Sequence, residues 1–377
     1  MTPSSATVAV NMLWCVPGQV GGSEDYLVRL LLGLAEHGAD AGLSRVDVYG
    51  PQGLRAAHPE LAEACGIVEA PIDGRARVAR VWAEHTWLVQ RTRGVDLIHH
   101  GGGTVPARRP PGARALLTLH DLQYLTYPQY FSRTKLAYLR HAVPRSVRRA
   151  DAITVPTAFV RDTVVDGLGV DPERIVVVPH GVPPFLGRGA TAEQVLRERY
   201  ALGEAPVVVL AAITHPHKGH AFLLRLLHER WTDPDLRVVL IGGEGAAEGE
   251  VAAAIDRLGL RGRVVRTGRV PAADRDGLLL LADALVFPSE YEGFGAPVLE
   301  AMALGTPVIT SDRTCLPEVV AGAGLCLPLD LDAWAPALDE VRRRRAELVE
   351  AGMRRAADFS SRAAAGQLLT AYRLALR

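Results

Sequence analysis

The sequence predicts an α/β protein of two doubly wound domains facing one another. Three observations lead there. The chain has 377 residues, which suits about two domains of roughly 100–200 residues each. Short β-branched or Leu-rich runs alternate with amphipathic stretches from end to end, the pattern of βαβ units and a mostly parallel sheet. The alternation pauses once, at the Pro/Gly cluster 183–189, and then restarts; such a cluster marks a domain boundary.

Before the pause, strands are expected at 7–13, 45–49, 95–99, 115–119, 152–155 and 174–178, each bounded by Gly, Pro, Asp or His. Helical spacing falls at 23–36, 75–93, 133–148 and 156–167. After it, strands are expected at 207–212, 237–241, 263–266, 284–287, 308–310 and 324–327. The matching helices are 218–229, 248–258, 273–281, 297–304, 316–321 and 331–350. Apolar residues recur at helical spacing over 362–376, and that helix is expected to return to the first domain. The division expected is 1–182, 190–355 and a C-terminal segment 356–377.

Bulk features narrow the function. Apolar residues make up 48% and charged residues 22%, an ordinary globular balance that excludes a mainly disordered chain. Cations and anions number 42 each; a duplex-coating protein would carry a basic excess, so nucleic acid is not an expected partner. Cys15, Cys65, Cys315 and Cys326 show neither C-x-x-C nor zinc-finger spacing and read as reduced thiols of a cytoplasmic protein. The N-terminal stretch has no basic leader and carries Asn11 inside its apolar run, so it reads as a first strand. No apolar run approaches the roughly 18 residues of a membrane span.

Ligands of parallel sheets sit beyond the C-terminal strand ends, and four constellations lie there. The strongest follows strand 284–287: Ser289-Glu290-Tyr291-Glu292-Gly293-Phe294-Gly295-Ala296-Pro297-Val298-Leu299-Glu300-Ala301-Met302. Pro297 suits the first turn of a helix. The glycines ahead of it let free amides face an anion at the positive helix end. Glu292 stands before that helix and Glu300 on it, one turn in. A lone acid here would be an ordinary solvated side chain; the coincidence of strand, glycine turn, Pro start and two acids favours a site.

This block, with Ala303-Leu304-Gly305-Thr306-Pro307-Val308-Ile309, Leu316-Pro317-Glu318-Val319 and Pro179-His180-Gly181-Val182, resembles the E-x7-E signature of retaining glycosyltransferases of family 4. The resemblance implies a GT-B fold: two facing, doubly wound Rossmann-like domains with a deep interdomain cleft. It implies that Glu292 contacts donor-sugar hydroxyls and Glu300 the donor ribose, with the amides of Gly293, Phe294, Gly295 and Ala296 around the sugar and diphosphate.

The second constellation is Thr214-His215-Pro216-His217-Lys218-Gly219-His220. Lys218 is one of only two lysines, the other being Lys135. It is expected to open a helix and to add its charge to the helix-end amides for a diphosphate. Members of the family resembled often carry an arginine six residues earlier; here that residue is Ala212, so the second phosphate cation is absent or replaced by His215 or His217. The H-P-H-K-x-H variant resembles a subset rich in mannosyltransferases that use GDP-mannose.

The third constellation, His120-Asp121-Leu122, matches the family's His-Asp pair, which implies that His120 is catalytic beside the donor sugar. His100, in His99-His100-Gly101-Gly102-Gly103, is a candidate for the acceptor side, or the glycines serve close packing alone. The fourth is the loop Val16-Pro17-Gly18-Gln19-Val20-Gly21-Gly22-Ser23-Glu24. Gly21 and Gly22 resemble the family's first loop, at the leaving diphosphate; the absence of G-x-G-x-x-G weakens a dinucleotide-cofactor reading.

Two imitations of chemistry are set aside. Asp330-Leu331-Asp332 reads as a helix cap before it reads as a D-x-D metal clamp, and 342–345 as a solvated basic face. The basic stretch 133–149 is a surface helix or a peripheral contact with an anionic membrane at its inner face.

The function expected is a retaining, metal-independent hexosyltransferase. It would move a hexose, mannose by the subset resembled, from a nucleotide diphosphate sugar such as GDP-mannose to a hydroxyl of a glycan, lipid-linked or small-molecule acceptor. No further cofactor is expected. The alternatives are a GT-B sugar-nucleotide epimerase or a catalytically silent nucleotide-sugar-binding partner. Oligomeric state is not legible.

Overall fold

A computed structural model describes residues 6–18, 22–37 and 42–377. The chain divides into two units: residues 1–181 with 359–377, and residues 182–358.

The first unit carries β1 (Ala6–Asn11), β2 (Leu43–Pro51), β3 (Gly66–Ala70), β4 (Leu97–His100), β5 (Arg114–Thr118), β6 (Ala152–Val155) and β7 (Ile175–Val177). They form one sheet in the order β3-β2-β1-β4-β5-β6-β7, and its described pairings are parallel. Val8, Val10, Leu97 and Leu116 point to one face, where Leu27 and Leu31 of helix Gly22–His37 and Leu368 and Tyr372 of helix Ser361–Ala375 cover them. The C-terminal helix is thus part of this unit's core. Ala115, Leu117, Ile153 and Val155 face the other side, against Val143, Val147, Val160 and Val164.

The second unit carries β8 (Val207–Ala211), β9 (Arg237–Ile241), β10 (Val264–Gly268), β11 (Ala284–Phe287), β12 (Val308–Ser311) and β13 (Leu325–Leu327), in the order β10-β9-β8-β11-β12-β13. These pairings are parallel as well. Strands buried on both faces read as continuous apolar runs, and Val207-Val208-Val209-Leu210-Ala211 is one, buried throughout.

Several expectations need correction. The stretch 75–93 is two helices, Arg77–His85 and Trp87–Arg91, because Thr86 leaves helical geometry. Its hydroxyl donates back to the Trp82 carbonyl at 2.7 Å, a local bond by which Thr competes with helix continuation. The stretch 331–350 breaks into Leu331–Trp334, Ala337–Arg343 and Arg345–Ala357, with Pro336 at the first break. Strand β3 and helix Glu193–Arg199 were not anticipated. Helix Arg133–Arg149 runs through Pro144. Among the described residues no helix is long and apolar enough to cross a membrane.

Candidate active site

In each sheet the strand order reverses once, and the loops leaving the two strands at that switch point flank a natural ligand position. In the second unit those strands are β8 and β11. Their outgoing loops are the ones the sequence singled out.

After β8 the chain makes a 3-10 turn, Pro216–Lys218, before helix His220–Glu229. Lys218 therefore precedes the helix by two residues; the expectation that it opens the helix is corrected. Gly219 intervenes with φ +74°, where a Cβ would stand 2.0 Å from the Pro288 carbonyl oxygen. Only glycine combines that backbone with that approach. The approach locks the two loops together: the His217 carbonyl accepts from the Glu290 amide at 2.8 Å and from the Ser289 hydroxyl at 2.9 Å.

The Lys218 ammonium donates to both oxygens of Glu292, at 2.7 and 2.9 Å. Glu292 is held from the other side, its amide donating to the Thr314 hydroxyl at 3.0 Å and its carbonyl accepting from the Cys315 thiol at 3.3 Å. Gly295, at φ +92°, then caps helix Ala296–Ala303, which carries Pro297 in its first turn. Glu300 is buried on that helix, with the Arg275 guanidinium 4.0 Å away. Sequence reasoning missed Arg275, since nothing in its local pattern distinguishes it from other surface arginines.

The two histidines offered as replacement cations stack, their rings 5.7 Å apart. Burial, reinforced by the Lys218 charge, pushes His217 down to about 3, and His220 in the same way to about 4. His217 is thus neutral beside Lys218 and offers a hydrogen bond in place of a charge. A further loop escaped notice: Gly242, whose Cβ would stand 2.2 Å from the Ala212 carbonyl oxygen, opens Gly242-Gly243-Glu244-Gly245 after β9. Thr214 ties this loop down. It accepts from the Gly245 amide and donates to Glu248, both at 2.7 Å.

In the first unit the switch point lies between β1 and β4, and Asn11 and His100 end those strands. The Asn11 amide nitrogen lies 2.9 Å from Glu84 and 3.2 Å from Nδ1 of His100. That nitrogen only donates, so Nδ1 of His100 accepts and its proton sits on Nε2. Burial holds His100 neutral, its pKa pushed down to about 3. His120 follows β5. Its Nε2 donates to the Gly101 carbonyl at 3.0 Å, which leaves Nδ1 as the ring's acceptor. The ring meets Tyr26 edge-on at 5.4 Å, and burial lowers its pKa. Gly22 begins helix Gly22–His37, whereas Gly21 lies outside the described residues. Glu24, unremarked in sequence, is buried and accepts from the Gly18 amide at 2.7 Å, with His58 Nε2 2.8 Å away.

A family model described as Glycosyltransferase Family 4 matches residues 20–184, and one described as Glycosyl transferases group 1 matches residues 193–351. The chain belongs to glycosyltransferase family 4. Its two parallel-sheet units are those of the GT-B fold. A UDP-glucose complex of HepE from Anabaena superposes with a TM-score of 0.75 over 97% of this chain and 99% of that one, at 19% identity. Sucrose-phosphate synthase from Thermosynechococcus elongatus gives 0.76 at 21% identity, over 98% of each chain. Among curated relatives, the O-antigen chain mannosyltransferase B of Escherichia coli is 28% identical over 74% of each chain. The MMP alpha-(1->4)-mannosyltransferase of Mycolicibacterium hassiacum is 31% identical over 60% of this chain, and the match spans about half of that enzyme (54%). Within the family-4 frame, Glu292 and Glu300 are the two acids of the E-x7-E block, and Lys218 is the cation that the structure joins to the first of them.

Proposed function

We propose that this glycosyltransferase is a retaining hexosyltransferase that moves mannose from a nucleotide diphosphate sugar, GDP-mannose in this reading, to an acceptor hydroxyl. The observation that carries the proposal is the Lys218–Glu292 pair at the β8/β11 switch point. A cation and a carboxylate stand together there, between two helix starts whose positive dipole ends favour an anion. The mannosyl assignment is supported by the H-P-H-K-x-H turn and by the mannosyltransferases among the relatives.

The chemistry divides by residue. Breaking the bond between the anomeric carbon and the phosphate oxygen leaves an oxocarbenium-like centre and a nucleoside diphosphate. Lys218 and the amides of Gly293, Phe294, Gly295 and Ala296 stabilise the departing diphosphate electrostatically, and Gly21 and Gly22 serve the same group. His217 adds a neutral hydrogen bond, and His215, stacked on it, lines the same phosphate position. Glu292 orients the sugar hydroxyls and Glu300 the ribose. His120 steadies the sugar in the transition state, and His100 belongs to the acceptor side. The acceptor oxygen bonds to the anomeric carbon on the face the phosphate leaves, and its proton passes to the departing phosphate oxygen. The charges supplied by the chain make a divalent ion unnecessary. The acceptor is a glycan, a lipid-linked saccharide or a small metabolite.

The test is release of nucleoside diphosphate from GDP-, UDP- and dTDP-sugars, with and without acceptor extract, followed by NMR of the product's anomeric proton. Acceptor-dependent release with retained configuration supports the proposal. Binding without turnover would leave a silent nucleotide-sugar partner in its place, and an inverted product would remove the retaining mechanism.

A further inference from the structure

Helix Arg77–His85 is inside out. A surface helix of a globular protein turns its apolar stripe to the core. Here Val78, Val81 and Trp82, at i, i+3 and i+4, share one face and stand in solvent, Val78 at 83% and Trp82 at 60% exposure. The opposite face anchors the helix through polar groups. Glu84 accepts from Asn11 at 2.9 Å, Arg80 donates to the Trp14 carbonyl at 2.5 Å, and Ala83 is buried between them. The orientation is therefore built in.

The ridge continues on a second helix. The Arg77 guanidinium lies 4.6 Å from the centre of the Tyr138 ring, on helix Arg133–Arg149. At about 100° per residue, Arg145 and Arg149 fall within roughly 20° of Tyr138 and Lys135 within roughly 60°; all three are exposed. That helix holds Arg133, Lys135, Arg140, Arg145, Arg148 and Arg149 and no acid, in a chain whose charges balance overall. Among the described residues of the first unit, the exposed large apolar side chains are Val78, Val81, Trp82, Leu125 and Tyr138, four of them on these two helices.

We infer that this ridge docks on an anionic phospholipid surface. Trp82 and the two valines would enter the boundary between headgroups and acyl chains, while Lys135, Arg145 and Arg149 meet lipid phosphates. Three features select lipid. The apolar stripe stands on a convex single helix; cations rim it; and a tryptophan sits at its edge, where amphipathic rings favour the membrane interface. Opposite charge on the lipid completes the match.

The experiment is co-sedimentation of the full chain with phosphatidylcholine vesicles, with and without phosphatidylglycerol. No turnover is read, so the outcome is separate from that of the transferase reading. The chain should partition onto the anionic vesicles and come off as salt rises. Val78→Ser/Trp82→Ser and Arg145→Glu/Arg149→Glu should each weaken partitioning by at least about tenfold. These side chains are exposed, so melting temperatures should not move. No partitioning by the parent chain would overturn the inference, as would equal partitioning onto pure phosphatidylcholine or unchanged partitioning of both variants. A dimer that forms without vesicles and is lost in Trp82→Ser would assign the ridge to a second copy of the chain instead.

Discussion

The Lys218 ammonium and the Glu292 carboxylate hold each other at 2.7 and 2.9 Å, both largely shielded from water. The sequence suggested separate duties for them, phosphate for one and sugar for the other. In the proposed transfer the pair couples those duties: a donor that draws Lys218 to its diphosphate would free Glu292 to accept from sugar hydroxyls. Removing one partner strands the other's charge, which is costly for a shielded pair. Lys218→Ala should thus cost about 3 kcal/mol of stability and most of the turnover. The double variant Lys218→Ala/Glu292→Gln should recover much of the stability and none of the activity. Urea unfolding of the four proteins of this cycle checks it; additive stability losses would show the pair to be uncoupled.

Gly219→Ala should disable the site without touching a catalytic group. The substitution puts a side chain at φ +74° and drives Cβ to 2.0 Å from the Pro288 carbonyl oxygen. The left-handed backbone alone costs about 1–2 kcal/mol, and the clash must separate the β8 and β11 loops. The expected result is a folded protein that loses the thermal shift given by nucleoside diphosphate. Intact binding by a fully stable Gly219→Ala would show that the loops tolerate separation.

How much of this was legible follows from where the signals live. All the strands but β3 were legible because β-branched runs between Gly, Pro and Asp need no tertiary context. The E-x7-E block was legible because a strand, a glycine turn and Pro297 coincide locally. The Lys218–Glu292 bond was not, since it joins residues 74 apart through a loop contact that only Gly219 permits. Asn11, Glu84 and His100 likewise meet only because β1 and β4 are neighbours in the sheet. The exposed stripe of helix Arg77–His85 has the same 3.6-residue period inward or outward, so periodicity alone could not say which way it faces.

Acid should destabilise the first unit through its buried histidines. Burial pushes His99 and His100 down to about 3 from 6.5. Between those values the unfolded chain binds more protons than the folded one, so stability rises with pH. It is fully present above about 6.5 and is lost as pH falls, at about 1.4 kcal/mol per pH unit for each imidazole. Glu84, raised by burial, works the opposite way as pH rises above the carboxylate range, so the readout is a comparison. His100→Asn keeps an acceptor for Asn11 and should show a flatter urea midpoint between pH 6.5 and 4.5 than the parent. Parallel profiles would mean that His100 is protonated in the fold.

Asp330 separates a structural acid from a catalytic metal clamp. Its carboxylate accepts from the amides of Asp332 and Ala333, both at 3.0 Å, and so caps helix Leu331–Trp334. Asp332 is engaged elsewhere, by the Arg230 guanidinium at 2.9 and 2.7 Å. Two carboxylates spent on a cap and an ion pair are poorly disposed to share a divalent ion. Asp330→Ala should cost about 1 kcal/mol, the usual value of an N-cap, while turnover at saturating donor stays unchanged. Chelator should leave both proteins equally active, because in the proposed transfer Lys218 and the helix-end amides supply the charge that the diphosphate needs. A loss of turnover in Asp330→Ala that added divalent ion restores would return these acids to the active site and with them a metal-dependent transfer.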